Sequence, residues 1–158
     1  MFRNVARTKQ ALPEEECIQL LKETKRGVLS VLGDDDYPYG MPLNHWYDEE
    51  SGLLYFHSGK NGHKIDSFLK HPKVSYCVLD EGTPIENDWA LRFRSVIVFG
   101  KIQIIEDQEE ALRICRDLSY HFTDDEDYIR HELEKDGWRV LVFAVVPEHI
   151  TGKSVTEK

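Results

Sequence analysis

L-Y-F-H-S-G-K-N-G-H-K-I-D, residues 54–66, changes structural period within one short stretch. Leu53–Ser58 is an apolar run of strand length, and Asn61 to about His71 reads as the helix after it. Gly59 and Gly62 punctuate the turn between them and allow tight backbone there. A strand entering a helix through a glycine turn aims backbone amides and the positive helix end at one point. From Ser51 to Ile65 there is no acidic residue, although the chain carries a formal charge of −9. His57, Lys60, His63 and Lys64 all fall in this window. Two readings stand on these residues. One is an anion site, with a phosphate as first choice and lysine as its point charge. The other is a basic surface turn that balances acidic neighbours. A Walker loop is excluded, because the glycine spacing is wrong and no Ser or Thr follows Lys64.

The elements around this turn are mostly strands. Pro13 followed by Glu14, Glu15 and Glu16 starts a helix that runs to about Lys25 and buries Cys17, Leu20 and Leu21. Gly27–Leu32 is a short apolar strand. Tyr37–Tyr47 reads as one further strand, bulged or at an edge because Pro38 and Pro42 interrupt it. Glu49–Gly52 is a hairpin turn. Val74–Leu79 is the next strand, and Glu81–Asp88 a polar loop. A long strand covers about Ala90–Ile105, with Gly100 as a bulge position. Asp107-x-x-Glu110 opens a helix whose face carries Ala111, Cys115, Leu118 and Phe122. A second acidic helix covers about Asp124–Lys135. Val140–Val146 is the last clear strand, with His149–Val155 as an extension. Short turns between strands predict an antiparallel barrel or curled sheet with peripheral helices, not a doubly wound parallel sheet.

The 158 residues fit a single domain, with residues 1–10 as a polar arm. A domain of this size buries about 68–70% of its unfolded surface and needs no staples. The acidic pI of 5.2 argues against nucleic-acid binding and a polybasic membrane surface. No apolar run is long enough to span a bilayer, and no apolar h-region follows the basic N-terminus. Cys17, Cys77 and Cys115 are isolated within apolar patterns, which predicts buried free thiols in a reducing cytoplasm. The seven histidines show no metal-ligand spacing, so no metal site is expected. No G-x-S-x-G elbow and no dinucleotide fingerprint occur.

A second window without acids, Trp89–Ile105, places Arg92 and Arg94 on one strand face with Val96 and Val98. That pattern fits a site at the end of a barrel strand, or an edge strand with charged gatekeepers. Y-P-Y-G-M-P-L-N-H-W-Y, residues 37–47, offers aromatic stacking surface and the Asn44 amide to a planar ligand. It reads equally as a half-buried strand.

Together these segments resemble the pyridoxamine 5′-phosphate oxidase-like flavoproteins, and within them the nitroimidazole-resistance (Nim-type) branch. The resemblance rests on the order of G-V-L-S-V-L (27–32), Y-P-Y-G-M-P-L-N (37–44), the 54–66 stretch, H-P-K-V (71–74) and R-S-V-I-V-F-G-K (94–101). It extends more weakly to I-T-G-K (150–153). It implies a mainly β fold with peripheral α-helices, an antiparallel split β-barrel that binds FMN at a homodimer interface. Lys64, upstream of Pro72, matches the lysine that holds the FMN phosphate, with Lys60 beside it. His63 stands where the oxidases proper usually have arginine. Met41, Pro42, Leu43 and Asn44 match the strand lining the isoalloxazine ring, and His57 and Ser58 the strand end beside it. Arg94, Ser95 and Val96 match a neighbouring strand that approaches the flavin, where the oxidases usually have glutamine at the Ser95 position. Those oxidases also carry a C-terminal segment with arginine and histidine for pyridoxal phosphate. No counterpart follows Val146, so the vitamin-pathway activity is not expected.

The activity implied is FMN-dependent oxidoreduction, with electrons passing to a small planar acceptor such as a nitro-aromatic. His57 is the catalytic candidate as a proton donor, or else a hydrogen-bond partner of the flavin or core. Two further readings remain: a flavin carrier or sensor without turnover, and a haem-handling split barrel.

Overall fold

The computed structural model describes residues 1–157. The chain forms α1 (Glu14–Glu23), β1 (Arg26–Leu32), β2 (Pro38–Asn44), β3 (Trp46–Asp48), β4 (Leu53–Gly59), α2 (His63–Lys70), β5 (Lys73–Leu79), β6 (Thr83–Pro84), β7 (Leu91–Ile104), α3 (Gln108–Tyr120), α4 (Glu126–Asp136) and β8 (Val140–Thr156). Asp107 caps α3 by accepting from the Glu110 amide at 2.8 Å, and Asp125 caps α4 through the Tyr128 amide at 3.0 Å.

One antiparallel sheet of eight strands runs in the order β2-β1-β5-β7-β8-β4-β3, with β6 added beside β7. Its two end strands, β2 and β3, are consecutive in the chain, separated only by His45. Two peptide links span at most about 7 Å. The sheet must therefore curl until its edges meet at His45. Because β2 and β3 do not pair along their length, the result is a split β-barrel.

This corrects the reading of residues 37–47 as one interrupted strand. The prolines do mark an edge, since β2 pairs only with β1. The chain turns at His45, whose ring is wholly buried, and continues on the opposite edge. Two smaller differences follow from pairing. Thr83–Pro84, expected in a loop, pairs with Arg92 and Leu91. Phe122 lies beyond the end of α3, where Lys25 Nζ sits 5.7 Å from its ring centre.

The concave face holds the main core. Leu29, Val31, Phe56, Tyr76, Val78, Val96, Val98 and Phe143 pack there against Cys17, Leu20 and Leu21 of α1 and Ile65 and Phe68 of α2. Each fully buried large apolar side chain contributes about 1.5–3 kcal/mol. A second core lies on the other face of β4 and β8. There Tyr55, Val142 and Ala144 meet Ala111, Ile114 and Cys115 of α3. The register of β7 with β8 shifts between Phe99 and Gly100, and Glu148 is the extra residue. A Cβ on Gly100 would collide with the Val146 carbonyl, so this bulge needs glycine. Past the bulge β8 continues as one strand to Thr156.

The remaining convex face stays largely open, with Phe2 of the N-terminal arm packed on Phe99 and His149. Pro42, Val28, Cys77, Ile97 and Thr151 form one row across five strands. Val28, Ile97 and Phe99 are each close to 40% exposed, and Leu79 is more so. All three thiols are free; Cys17 and Cys115 are buried, whereas Cys77 is half-buried on this convex face. Burial pushes each of them up, Cys115 to about 11, so none is a thiolate at neutral pH. Among the described residues no helix is long and apolar enough to cross a membrane.

Candidate functional site

The turn between β4 and α2 leaves an unusual set of groups without partners among the described residues. Gly62 precedes α2 with φ 129° and ψ 171°, a conformation open mainly to glycine. Glycine has no side chain to cap the helix, and none of the neighbours does so. The first intrahelical acceptance is that of the Gly62 carbonyl from Asp66 N–H at 3.1 Å. The amides of His63, Lys64 and Ile65 thus have no acceptor within the helix. Lys60 is exposed and Lys64 half-buried, and neither forms an ion pair among the described residues.

His63 is already engaged. Its ring stacks on Tyr39 with centroids 4.1 Å apart and planes at 14°, and Nε2 lies 3.8 Å from Asp34. A Cβ on Gly33 would stand 3.2 Å from the same Nε2. His63 therefore docks the first turn of α2 onto the β1–β2 connection. Ser67 Oγ donates to the His63 carbonyl at 2.7 Å and steadies that turn.

His57 lies near the end of β4, on the face that carries Leu53 and Tyr55, paired with Val142. It reaches solvent, but the surrounding protein desolvates the imidazole and lowers its pKa. Ser58 points to the opposite face and donates to the Gly59 carbonyl at 2.9 Å. On β2 the alternation is plain. Met41 is buried and Leu43 half-buried on the concave face, whereas Pro42 and Asn44 are exposed. Asn44 Oδ1 accepts from Arg26 Nε at 2.8 Å. Its amide NH2 remains the group to offer a ligand.

The β7 residues separate. Ser95 is half-buried on the convex face, between Leu79 and Lys153. Val96 is fully buried in the core. Arg94 Nε donates to Asp80 Oδ2 at 2.9 Å, and its NH2 lies 3.5 Å from Glu23. Burial raises the Asp80 pKa, but hydrogen bonds from the Arg94 backbone, its guanidinium and the Gly82 amide outweigh this and hold the carboxyl low. Arg94 thus ties β7 to the β5–β6 loop and to α1. The structure gathers Lys60, His63 and Lys64 at one turn, with His57 and Ser58 on the strand that leads into it. It sets Pro42, Asn44 and Ser95 on the open face, and Met41, Leu43 and Val96 beneath it.

Two residues at the other end of β2 had no signal of their own in the sequence. His45 Nε2 donates to the Leu21 carbonyl at 2.8 Å, and its Nδ1 lies 2.7 Å from Tyr76 Oη. Desolvation lowers its pKa to about 4, against the hydrogen bond to Leu21. Among the described residues no group of three or more His, Cys, Asp or Glu side chains is placed to hold a metal ion.

The sequence profile described as pyridoxamine 5′-phosphate oxidase matches residues 13–154. No curated protein is a significant match. Solved structures do match. A proposed 5-nitroimidazole antibiotic resistance protein from Bacteroides thetaiotaomicron shares 21% identity at a TM-score of 0.77, over 92% of this chain and 87% of its own. A FAD-binding protein from Mesorhizobium loti shares 23% at 0.66, over 92% and 97%. A flavocytochrome from Azotobacter vinelandii shares 18% at 0.78, over 97% and 73%. At these identities the likeness establishes the fold.

Proposed function

The chain belongs to the pyridoxamine 5′-phosphate oxidase family, and from that premise we propose that it is an FMN-dependent oxidoreductase acting on a small planar acceptor of the nitro-aromatic kind. The observation that carries this reading is the uncapped start of α2 beside Lys60 and Lys64. Unpaired amides, a positive helix end and two free ammonium groups form a donor set that fits a phosphate. When bound, the flavin supplies transfer of two electrons between a reduced donor and the acceptor.

The chain's own residues do the rest. Lys64, half-buried, holds the phosphate, and the three free amides of α2 orient it. His63 fixes that helix start against Tyr39 and so sets where the phosphate sits. Pro42, the Asn44 amide and Ser95 offer a surface and donors to the ring. His57 is neutral at pH 7 because its pKa is lowered, so it presents one N–H donor rather than a cationic acid. The exposed apolar residues of the convex face fit a second copy of this chain, which would exclude water from the ring. The free thiols fit a reducing cytoplasm.

The test is the absorbance spectrum of the purified protein with and without added FMN. A bound yellow chromophore is expected in the wild type and is weakened in Lys64→Ala. A colourless protein with no affinity for FMN overturns the reading. Size-exclusion chromatography with light scattering checks the dimer.

A further inference from the structure

A hydrogen-bonded chain runs beneath β1 and joins strands that are not neighbours. Tyr76 belongs to β5 and Leu43 to β2, and β1 lies between them. The phenol passes β1 at Gly27. A Cβ there would stand 2.6 Å from Tyr76 Cζ and 2.8 Å from Oη. The missing side chain is thus the passage. Beyond it Oη reaches the Leu43 carbonyl at 3.0 Å and His45 Nδ1 at 2.7 Å. The Leu21 carbonyl can only accept, so His45 Nε2 carries the imidazole proton and Nδ1 is an acceptor. The single phenolic proton is therefore shared between two acceptors, and the His45 ring, the nearer of them, holds the hydroxyl beside the Leu43 carbonyl. Both side chains are completely buried, and Phe56 packs edge-on against Tyr76 at 5.0 Å.

The far end of this chain is where extra support counts. β2 is an edge strand, and β1 is its one sheet partner among the described residues. Pro38 and Pro42 remove two of its amide donors. A side-chain hydrogen bond to the Leu43 carbonyl is then a second tether on a weakly held strand. It acts at the corner where the two sheet edges meet.

We propose that Tyr76, threaded past Gly27 and oriented by His45, is a positioning residue that fixes the Leu43 backbone and so places the Met41–Asn44 segment against the flavin ring. The flavin half rests on the function proposed above; the tether itself does not.

The experiment compares wild type with Tyr76→Phe, which keeps the ring and removes the hydroxyl. Hydrogen exchange of the apo proteins is read first. Peptides spanning residues 39–47 are expected to exchange about tenfold faster in the variant, with β7 and β8 unchanged. FMN titration follows, with about tenfold weaker binding and an altered visible circular dichroism of bound FMN. Unchanged exchange at 39–47, or uniform acceleration over the whole sheet, overturns the proposal. So does normal FMN affinity and dichroism in a variant whose 39–47 segment is loosened. A wild type that binds no FMN defeats the functional reading alone, because the apo exchange still decides the tether. Should Tyr76→Phe not fold, His45→Gln keeps the phenol and removes its orientation. The same local pattern is expected from it, and its absence is equally decisive.

Discussion

Two corners of the barrel handle their polar groups in opposite ways. At the β4–α2 turn, three amides and two lysines have no partner among the described residues. At the β2–β3 corner, every polar atom of His45 and Tyr76 is engaged, down to a phenol serving two acceptors. Solvent explains the difference. Water satisfies the exposed turn at little cost, so its donors can wait for a ligand. An unpaired group at the buried corner would cost about 1–3 kcal/mol. One corner is left open to solvent and the other is closed.

The sharpest way to break this comparison is to remove the closing ring. His45→Ala leaves a cavity, an unmatched Leu21 carbonyl and a phenol with one acceptor fewer. A loss of about 3–4 kcal/mol is expected, read as a lower urea midpoint with little change in slope. A loss below about 1 kcal/mol would mean that the corner does not hold the barrel shut.

Acid should do the same reversibly. His45 has a folded pKa near 4 against 6.5 for the free side chain. Between these values the unfolded chain binds a proton that the native state refuses. Stability is therefore fully present above about pH 6.5 and falls as pH drops toward 4, by up to about 3 kcal/mol. The groups facing the ring are Tyr76, the Leu21 carbonyl and His121, whose ring centre is 6.4 Å away. His57 adds a contribution of the same sign, and His57→Asn subtracts it. Asp80 acts only below its ordinary value of 3.8, outside this window. Urea melts across the range should lose most of their pH dependence in His45→Gln.

The same contrast explains what could be read from the chain alone. The β4–α2 turn was legible because its signals are local. Two glycines and a change of period all fall within the acid-free window from Ser51 to Ile65. The edge position of β2 was legible from Pro38 and Pro42. The corner was hidden because the partners of His45 lie 24 and 31 residues away, on α1 and β5. No turn residue marks the break, since burial of one imidazole does the work that glycine does elsewhere. Arg94 was opaque for the same reason. Its window lacks acids, yet Asp80 and Glu23 reach it from other elements.

At the open corner the effects turn from stability to affinity. Lys64→Ala removes a charge that no carboxylate shares among the described residues, so the unfolding free energy from urea melts should stay within about 0.5 kcal/mol of wild type. FMN affinity should fall by about tenfold to thirtyfold, or about 1.4–2 kcal/mol. Lys60→Ala, at a more exposed position, should lose less. Equal losses from the two lysines would move the phosphate toward the tip of the turn.

Gly62→Ala gives the smallest effect and the finest test. A Cβ at this position meets nothing within 4 Å, so no collision opposes it. The objection is conformational alone, because φ 129° is left to glycine. A rigid turn would lose about 1 kcal/mol of stability. A turn that relaxes instead swings the α2 amides out of line and sacrifices affinity while keeping its midpoint. FMN titration beside urea melts separates the two. If neither quantity moves, the amides do not need the placement that Gly62 gives them, and the lysines alone would account for anion binding at this corner.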